Sequence, residues 1–295
     1  MHSGLLSAAL AYVIWGLFPL YFHQLRDVNA LEVVLHRSLW SLLFMLALLA
    51  LKHRWQALTQ ALRQPRTLAV FAASALLLSG NWLIYVWAVH SHRVIEASLG
   101  YFINPLFNVL LGVLVLHERP RPVQWLALGL AALGVVGMAW VSGAAPWVSL
   151  ALALTFGLYG LLKKLAPLGA QDGLALETLI LAPLVIPALA WFASYGGDTA
   201  HATPATWLWL LAAGPLTAVP LLLFAYGAQR ITLSTLGLLQ YLGPTLQFAI
   251  GLWVFHEPMQ PARLAGFGVI WLALLVYSGE SLWFAARRSG TTAAP

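Results

Sequence analysis

Apolar runs of about 20 residues, separated by short polar or proline-bearing breaks, recur along nearly the whole chain. A helix rising about 1.5 Å per residue crosses the roughly 30 Å hydrocarbon layer in that length. The runs are continuously apolar, without alternation of period two, so they predict helices and not the strands of a barrel. Ten spans are expected, near residues 4–24, 31–51, 67–89, 94–116, 122–141, 145–163, 173–195, 207–229, 234–255 and 261–284.

The pattern is written twice. At an offset of 139, Pro105 lands on Pro244, Gly112 on Gly251, His117 and Glu118 on His256 and Glu257, Pro122 on Pro261 and Gly129 on Gly268. A weaker match joins the starts of the halves, where Asp27 and Glu32 correspond to Asp172 and Glu177 and Gly16 to Gly157. The boundary falls near 142–146, giving a first repeat over 1–141, a second over 146–288 and a disordered tail over 289–295. Each half then holds five spans, and two consecutive copies of an odd-span unit must lie in the membrane upside down to one another. The expected fold is thus an all-α integral membrane protein of ten transmembrane helices in two inverted five-helix repeats. That is the usual construction of alternating-access carriers, with a cavity at the repeat interface near mid-membrane.

Composition agrees with lipid as the solvent: 61% of residues are hydrophobic, 8% are charged, and the mean hydropathy is +0.83. The net charge of +6 does not mark a nucleic-acid surface, because the cations mark topology instead. Lys52, Arg54, Arg63, Arg66, Arg119, Arg121, Lys163, Lys164, Arg230, Arg287 and Arg288 fall in one set of breaks or just after the last span, against Arg26 and Arg93 in the other set. The positive-inside rule then puts both termini in the cytoplasm. The first run has no preceding cation and is too long for a signal-peptide core, so it is expected to be a retained span. Absence of cysteine excludes disulfides and thiol chemistry.

Polarity enters the lipid at a few positions. Glu96, Gly100, Asn104, Asn108 and Gly112 recur every fourth residue, on one face of span four. Pro105, inside that face, cannot donate to the carbonyl of Tyr101 and is expected to kink the helix. Span nine repeats the device with Gln240, Gly243, Pro244 and Gln247. Asn104 and Gln240, beside the kinks, are read as cavity residues contacting substrate, with Tyr101. For Asn108 and Gln247 two readings stand open, cavity lining and helix-to-helix glue worth about 1 kcal/mol per bond. Asn81, Trp82 and Tyr85 share a face of span three and form a slot for a flat or amphipathic molecule. Arg37 and Glu96 carry full charges in or at the ends of spans, at about 3 kcal/mol each at mid-bilayer, so each wants a partner or water. Arg37 is a candidate for gating or charge pairing and Glu96 for substrate binding, with an interfacial position as the plainer reading of Glu96.

Enzymatic readings fare poorly. His117-Glu118 and His256-Glu257 lack the second histidine of a zinc-protease helix, and no Gly-Lys-Ser/Thr phosphate loop occurs. No metal or cofactor is expected, and transport would run on a gradient, with protons the candidate coupling ion, or downhill. An intramembrane lipid-modifying enzyme would need converging acid and base groups, for which Glu96 with His90 or His92 is the one weak candidate; a passive channel is the other alternative. Oligomeric state is unreadable here.

The stretches from His36 to Ser41, Gly80 to Val89, Glu96 to Pro105 and Leu236 to Leu246 resemble the RarD branch of the EamA transporters, in the drug/metabolite transporter superfamily. The resemblance covers essentially the whole chain. It implies ten helices with both termini cytoplasmic in a bacterial inner membrane, and a central cavity drawing on spans one, three, four, six, eight and nine. It also implies export of a small molecule, without naming which one.

Overall fold

A computed structural model describes residues 2–53, 55–91, 94–142, 147–256 and 261–291; within its helices the side chains of 2, 89, 90, 94–98, 141, 142, 261–263, 278 and 281–291 lie outside the description. Among the described residues there are thirteen α-helices, one 3-10 turn and no strand. The helices are α1 (His2–Gly16), α2 (Phe18–His23), α3 (Ala30–Leu51), α4 (Trp55–Leu62), α5 (Pro65–His90), α6 (Val94–Leu114), α7 (Pro122–Ser142), α8 (Trp147–Leu165), α9 (Ala170–Ser194), α10 (Pro204–Ala228), α11 (Leu233–Gln240), α12 (Leu242–Trp253) and α13 (Pro261–Thr291). Among the described residues seven stretches are long and apolar enough to cross a membrane: Ser3–His23, which joins α1 and α2, and stretches of helices α3, α5, α7, α8, α9 and α10. This is a multi-pass membrane protein.

Prolines stand both at helix breaks and inside unbroken helices, the latter at Pro105, Pro183, Pro187, Pro215 and Pro220. Pro19 opens α2 after a turn at Leu17, and Pro244 lies in the first turn of α12 after a turn at Tyr241. A proline is tolerated in a first helical turn because the N–H it lacks has no intrahelical acceptor there. Pro105 behaves differently, since α6 runs through it without interruption. The Tyr241 hydroxyl, from the break on the other half, donates to the carbonyl of Phe102 at 3.2 Å, next to the Tyr101 carbonyl that Pro105 cannot serve.

The helix C-termini repeat as closely as the sequence does. His117 and His256 both take a left-handed backbone, with φ of 56° and 52°. The Leu111 carbonyl accepts from Val115 and Leu116 at 2.9 and 3.4 Å, and the Ile250 carbonyl, 139 residues on, accepts from Val254 and Phe255 at 2.8 and 3.1 Å. A left-handed residue at this place lets the last carbonyls find donors. Two short elements fall outside the expected spans: α4, and the 3-10 turn Asp198–His201. Helix α13 runs to Thr291, where a disordered tail from 289 was expected.

Helix α6 packs on α8 and α11, α7 on α13, α3 on α9 and α10, α1 on α10 and α12, and α5 on α8 and α9. Small residues allow the closest approaches, as in bundles where lipid supplies no hydrophobic drive between helices. A Cβ on Gly237 would lie 2.5 Å from the Pro105 carbonyl oxygen, so α11 and α6 meet backbone to side at that point. Gly16 of α1 abuts Leu246 of α12, and Gly157 of α8 abuts Phe107 of α6.

One end of the bundle is dense in polar ties. Lys163 and Glu177 form an ion pair of 2.7 Å with both side chains 2% exposed, and Ser74 donates to the same carboxylate. Lys164 donates to the carbonyls of Ala228 and Ile231, Gln229 to the carbonyl of Leu168, and Lys52 to Gln171. The Glu118 carboxylate accepts from the amides of Leu233 and Ser234 at 2.7 and 3.0 Å and from the Ser234 hydroxyl at 2.7 Å, capping α11. Arg121 pairs with Glu280 at 2.6 Å, and Gly4 lies against Arg230, so the start of α1 and the later part of α13 share this end. At the opposite end the fully buried Glu32 accepts from the Thr199 amide at 3.2 Å, and Asp198 accepts from the Asn29 amide at 2.7 Å.

Gly237→Ala is expected to lower stability by about 1–3 kcal/mol, because backbone must move to admit the methyl. Gly129→Ala, with nothing within 4 Å of the added atom, should instead raise stability by up to about 1 kcal/mol through helix propensity. Thermal unfolding of the detergent-solubilised full chain measures both, and equal melting temperatures would contradict the packing described for α6 and α11.

Candidate functional site

A cavity of about 510 Å³ lies between the two halves of the chain, lined by residues of α1–α3, α5 and α6 from one half and of α8 and α10–α12 from the other. Its lining reaches exposed Arg26 in the loop between α2 and α3. Its inner end rests on aromatic rings. Trp15 and Phe156 meet edge to face at 5.9 Å, and beneath them Tyr12, Phe224 and Tyr159 continue the contact, with the Tyr159 and Phe224 rings stacked at 5.8 Å and 11°. Lys163 lies 5.5 Å from the Tyr159 ring, so the Lys163–Glu177 pair sits directly behind this aromatic floor.

Arg37 is the buried charge of the wall, at 8% exposure. Its Nε donates to the Thr217 hydroxyl of α10 at 3.0 Å. Three rings surround its Cζ, those of Trp82, Phe22 and Phe18, at 5.0, 5.3 and 5.4 Å. Each such contact is worth about 0.5–2 kcal/mol, more when water is excluded. The partner on another helix is therefore a hydroxyl and a ring cage, and among the described residues no carboxylate lies within ion-pair distance. Glu32, one turn plus one residue earlier, is committed to the Thr199 amide.

The sequence-expected residues divide into those at the cavity surface and those behind it. Trp82, Tyr85, Tyr101 and Gln240 line the cavity, and the rings of Tyr85 and Tyr101 meet at 5.9 Å and 62°. Asn81 also lines it, but its Nδ2 is held by the Leu152 carbonyl and the Thr155 hydroxyl of α8, both at 2.9 Å. Asn104 lies elsewhere: it is 2% exposed, is absent from the cavity wall, and its Oδ1 has no hydrogen-bond partner among the described residues. Four residues on, Asn108 donates to Gln240 at 2.9 Å, so that amide ties α6 to α11. Gln247 does both things, lining the cavity and donating to the Trp15 carbonyl at 3.2 Å. Pro244 borders the cavity and Pro105 does not. Glu96 opens α6, but its side chain, like those of His90 and the whole of His92, lies outside the described residues. No cluster of three or more metal-ligating side chains occurs among the described residues.

Sequence reasoning missed Phe18, Phe22 and Thr217, which hold Arg37, and it placed Glu118 at a helix end without its capping role. Phe18 and Phe22 are four residues apart and so share a face, a legible signal in hindsight. Thr217 left no signal, because a lone threonine in an apolar helix ordinarily bonds its own backbone.

Comparison with known proteins accords with this geometry. The EamA-like transporter family matches the chain twice, over residues 2–140 and 144–279. An uncharacterized transporter of Pseudomonas aeruginosa is 48% identical over 98% of this chain and 97% of its own. Protein RarD of Escherichia coli strain K12 is 41% identical over 98% of each chain, and protein RarD of Streptomyces exfoliatus 45% identical over 97% of this chain and 91% of its own. A solved crystal structure at 20% identity superposes with a TM-score of 0.73, covering 93% of this chain and 96% of the other, which is a likeness of fold. The family description and the name of the Pseudomonas relative are those of transporters. The chain belongs to the EamA-like transporter family and is a RarD-type member of it.

Proposed function

We propose that the chain is a secondary transporter that exports small amphipathic molecules across a bacterial inner membrane by alternating access. In this reading ten spans form two inverted five-helix repeats, with α1–α2 as the first span and α11–α12 as the ninth. The observation that carries it is one cavity built by both halves, reaching the surface at Arg26 and shut at the other end by an aromatic floor and a buried ion pair.

The packing supports the repeat. Exchanging the halves maps the contact of α6 with α8 onto that of α12 with α1, and the contact of α5 with α8 onto that of α10 with α1. The contacts of α7 with α13, α3 with α9 and α6 with α11 map onto themselves, as pairs on a two-fold axis do. Gly16 against Leu246 and Gly157 against Phe107 are one contact seen twice, since 16 and 246 correspond to 157 and 107. The shut end carries Lys52, Arg63, Arg66, Lys163, Lys164 and Arg230, so the positive-inside rule assigns it to the cytoplasm. The state is then outward-open. Conversion to an inward-open state would part the ties of Lys163, Lys164 and Glu118 and close the walls around Arg37.

Two experiments test the reading. The chain has no cysteine, so single cysteines report sidedness directly. In intact cells Gln24→Cys should react with a membrane-impermeant maleimide and Gln60→Cys should react only after permeabilisation; the reverse order would overturn the orientation. In proteoliposomes preloaded with aromatic or amphipathic test compounds, with and without a proton gradient, wild-type protein should release substrate. Trp82→Ala should slow that release at least tenfold at low substrate concentration, since an aromatic contact in a desolvated site is worth about 1.4 kcal/mol or more. Equal flux through wild type, variant and empty liposomes would defeat the transport assignment of this cavity.

A further inference from the structure

We infer that the cavity selects aromatic carboxylates, with the substrate's carboxylate held by the terminal nitrogens of Arg37 and its ring held against Trp82 and Tyr85. The inference rests on the transport reading for its biological sense and on the cavity alone for its chemistry.

A guanidinium offers five N–H donors. The Nε–H of Arg37 goes to Thr217, and among the described residues the four hydrogens on the two terminal nitrogens have no acceptor. Rings occupy the surroundings of Cζ on α2 and α5, which leaves the terminal edge of the fork as the polar surface offered to the cavity. That edge presents two parallel N–H groups, the geometry that accepts a planar carboxylate in a bidentate manner. The side chain is more than nine-tenths buried and its charge is uncompensated by any described acid, so the missing anion is one the substrate can bring.

The rest of the wall limits the class. The described lining holds two cations, Arg37 and Arg26, and no Asp or Glu. Arg26, exposed at the mouth, is paired with Asp27 at 3.9 Å, so Arg37 is the lining cation left to meet an anion. A substrate ammonium would stand beside a guanidinium without a counter-charge, so free amino acids are disfavoured relative to acids that lack the amine. Trp82, Tyr85 and Tyr101 supply flat apolar surface next to the charge, which selects a ring attached to the acid by a short linker. Arg37 is also a departure from the repeat: at the offset of 145 that relates Glu32 to Glu177, its position is filled by Ala182. A residue that the packing of one half requires and the other does without is a residue free to specialise.

Calorimetric titration of the full-length protein in lipid nanodiscs, with four probes sharing one ring, tests this. The probes are 3-phenylpropionate, 3-phenylpropanol, 3-phenylpropylamine and phenylalanine. The acid should bind at least tenfold tighter than the other three. Arg37→Gln should erase that preference, and Arg37→Lys, which keeps the charge but loses the fork, should retain part of it. The melting temperature of each variant identifies any that fails to fold, in which case Arg37→Lys alone carries the comparison with wild type. Binding of the alcohol or amine as tight as that of the acid overturns the inference, as does absence of acid binding at millimolar concentration. Tighter binding of phenylalanine that is lost in Glu96→Gln would also overturn it, by showing that Glu96 supplies a counter-charge for an amine. Proteoliposome flux separates the two readings: charge-selective binding without flux defeats transport and leaves the anion site, whereas flux without charge preference does the opposite.

Discussion

An unpaired backbone N–H or C=O inside hydrocarbon costs several kcal/mol, and the bundle is arranged around the few places where its helices must break. Side chains from distant elements reach several backbone groups near helix ends, turns and prolines. Glu118 takes the first amides of α11, Glu32 takes the Thr199 amide, and the Tyr241 hydroxyl serves the Phe102 carbonyl beside Pro105. Gln247 donates to the Trp15 carbonyl close to the turn at Leu17. These reaches run from one half of the chain to the other, so satisfying the backbone is the same act as joining the halves. Lining residues flank the breaks at Leu17 and Tyr241, with Trp15 and Phe18 on either side of the first and Gln240 and Gly243 on either side of the second.

Periodicity made the helices legible. The spans read from apolar runs begin and end within about three residues of the helices wherever the run is bounded by polar residues or proline, because lipid makes the same demand of every span. The break inside span nine was legible at Pro244, but not the continuity of α6 through Pro105. The difference lies in position: Pro19 and Pro244 follow a turn that absorbs the missing donor, whereas Pro105 has eleven helical residues before it, and a hydroxyl from α11–α12 assists. The left-handed histidines were invisible, since a positive φ at histidine has no compositional mark, although finding His-Glu at both ends of the 139-residue offset was a hint that something structural was being kept.

Within the site, residue type was readable and direction was not. A four-residue spacing puts Asn104 and Asn108 on one face of α6, where the sequence reads Asn104 as lining a cavity and leaves Asn108 open between cavity and helix contact. That face meets α8 and α11, where Asn108 finds Gln240 and the added atoms on Gly157 and Gly160 would lie 3.5 and 3.4 Å from its Oδ1. Polar faces in membrane helices serve either water or a neighbour, and only the packing tells which. Arg37 was recognised as anomalous from its charge alone, the safest inference available in an apolar span. Its cage was not, because aromatic residues are too frequent here, with 14 Trp, 13 Phe and 9 Tyr, for any three of them to stand out.

The repeat and its exceptions have separate physical duties. Glycine contacts and helix ends recur in both halves, as the proposed alternating access asks, since under that reading either half closes as the other opens. Arg37 has no counterpart, and its holders come from both sides: Phe18, Phe22 and Trp82 from the first half and Thr217 from the second. Rocking one half against the other cannot preserve all four contacts. Under the proposed alternating access the surroundings of this buried charge would differ between the two states, and a ligand that satisfies it in one of them would change their relative population by its differential affinity. Near 25 °C, about 1.4 kcal/mol of such a difference shifts the balance tenfold, a magnitude well within what a charge-assisted bidentate contact supplies. Under that reading Arg37, the lining charge with no carboxylate within ion-pair distance among the described residues, is the group through which occupancy would be coupled to conformation.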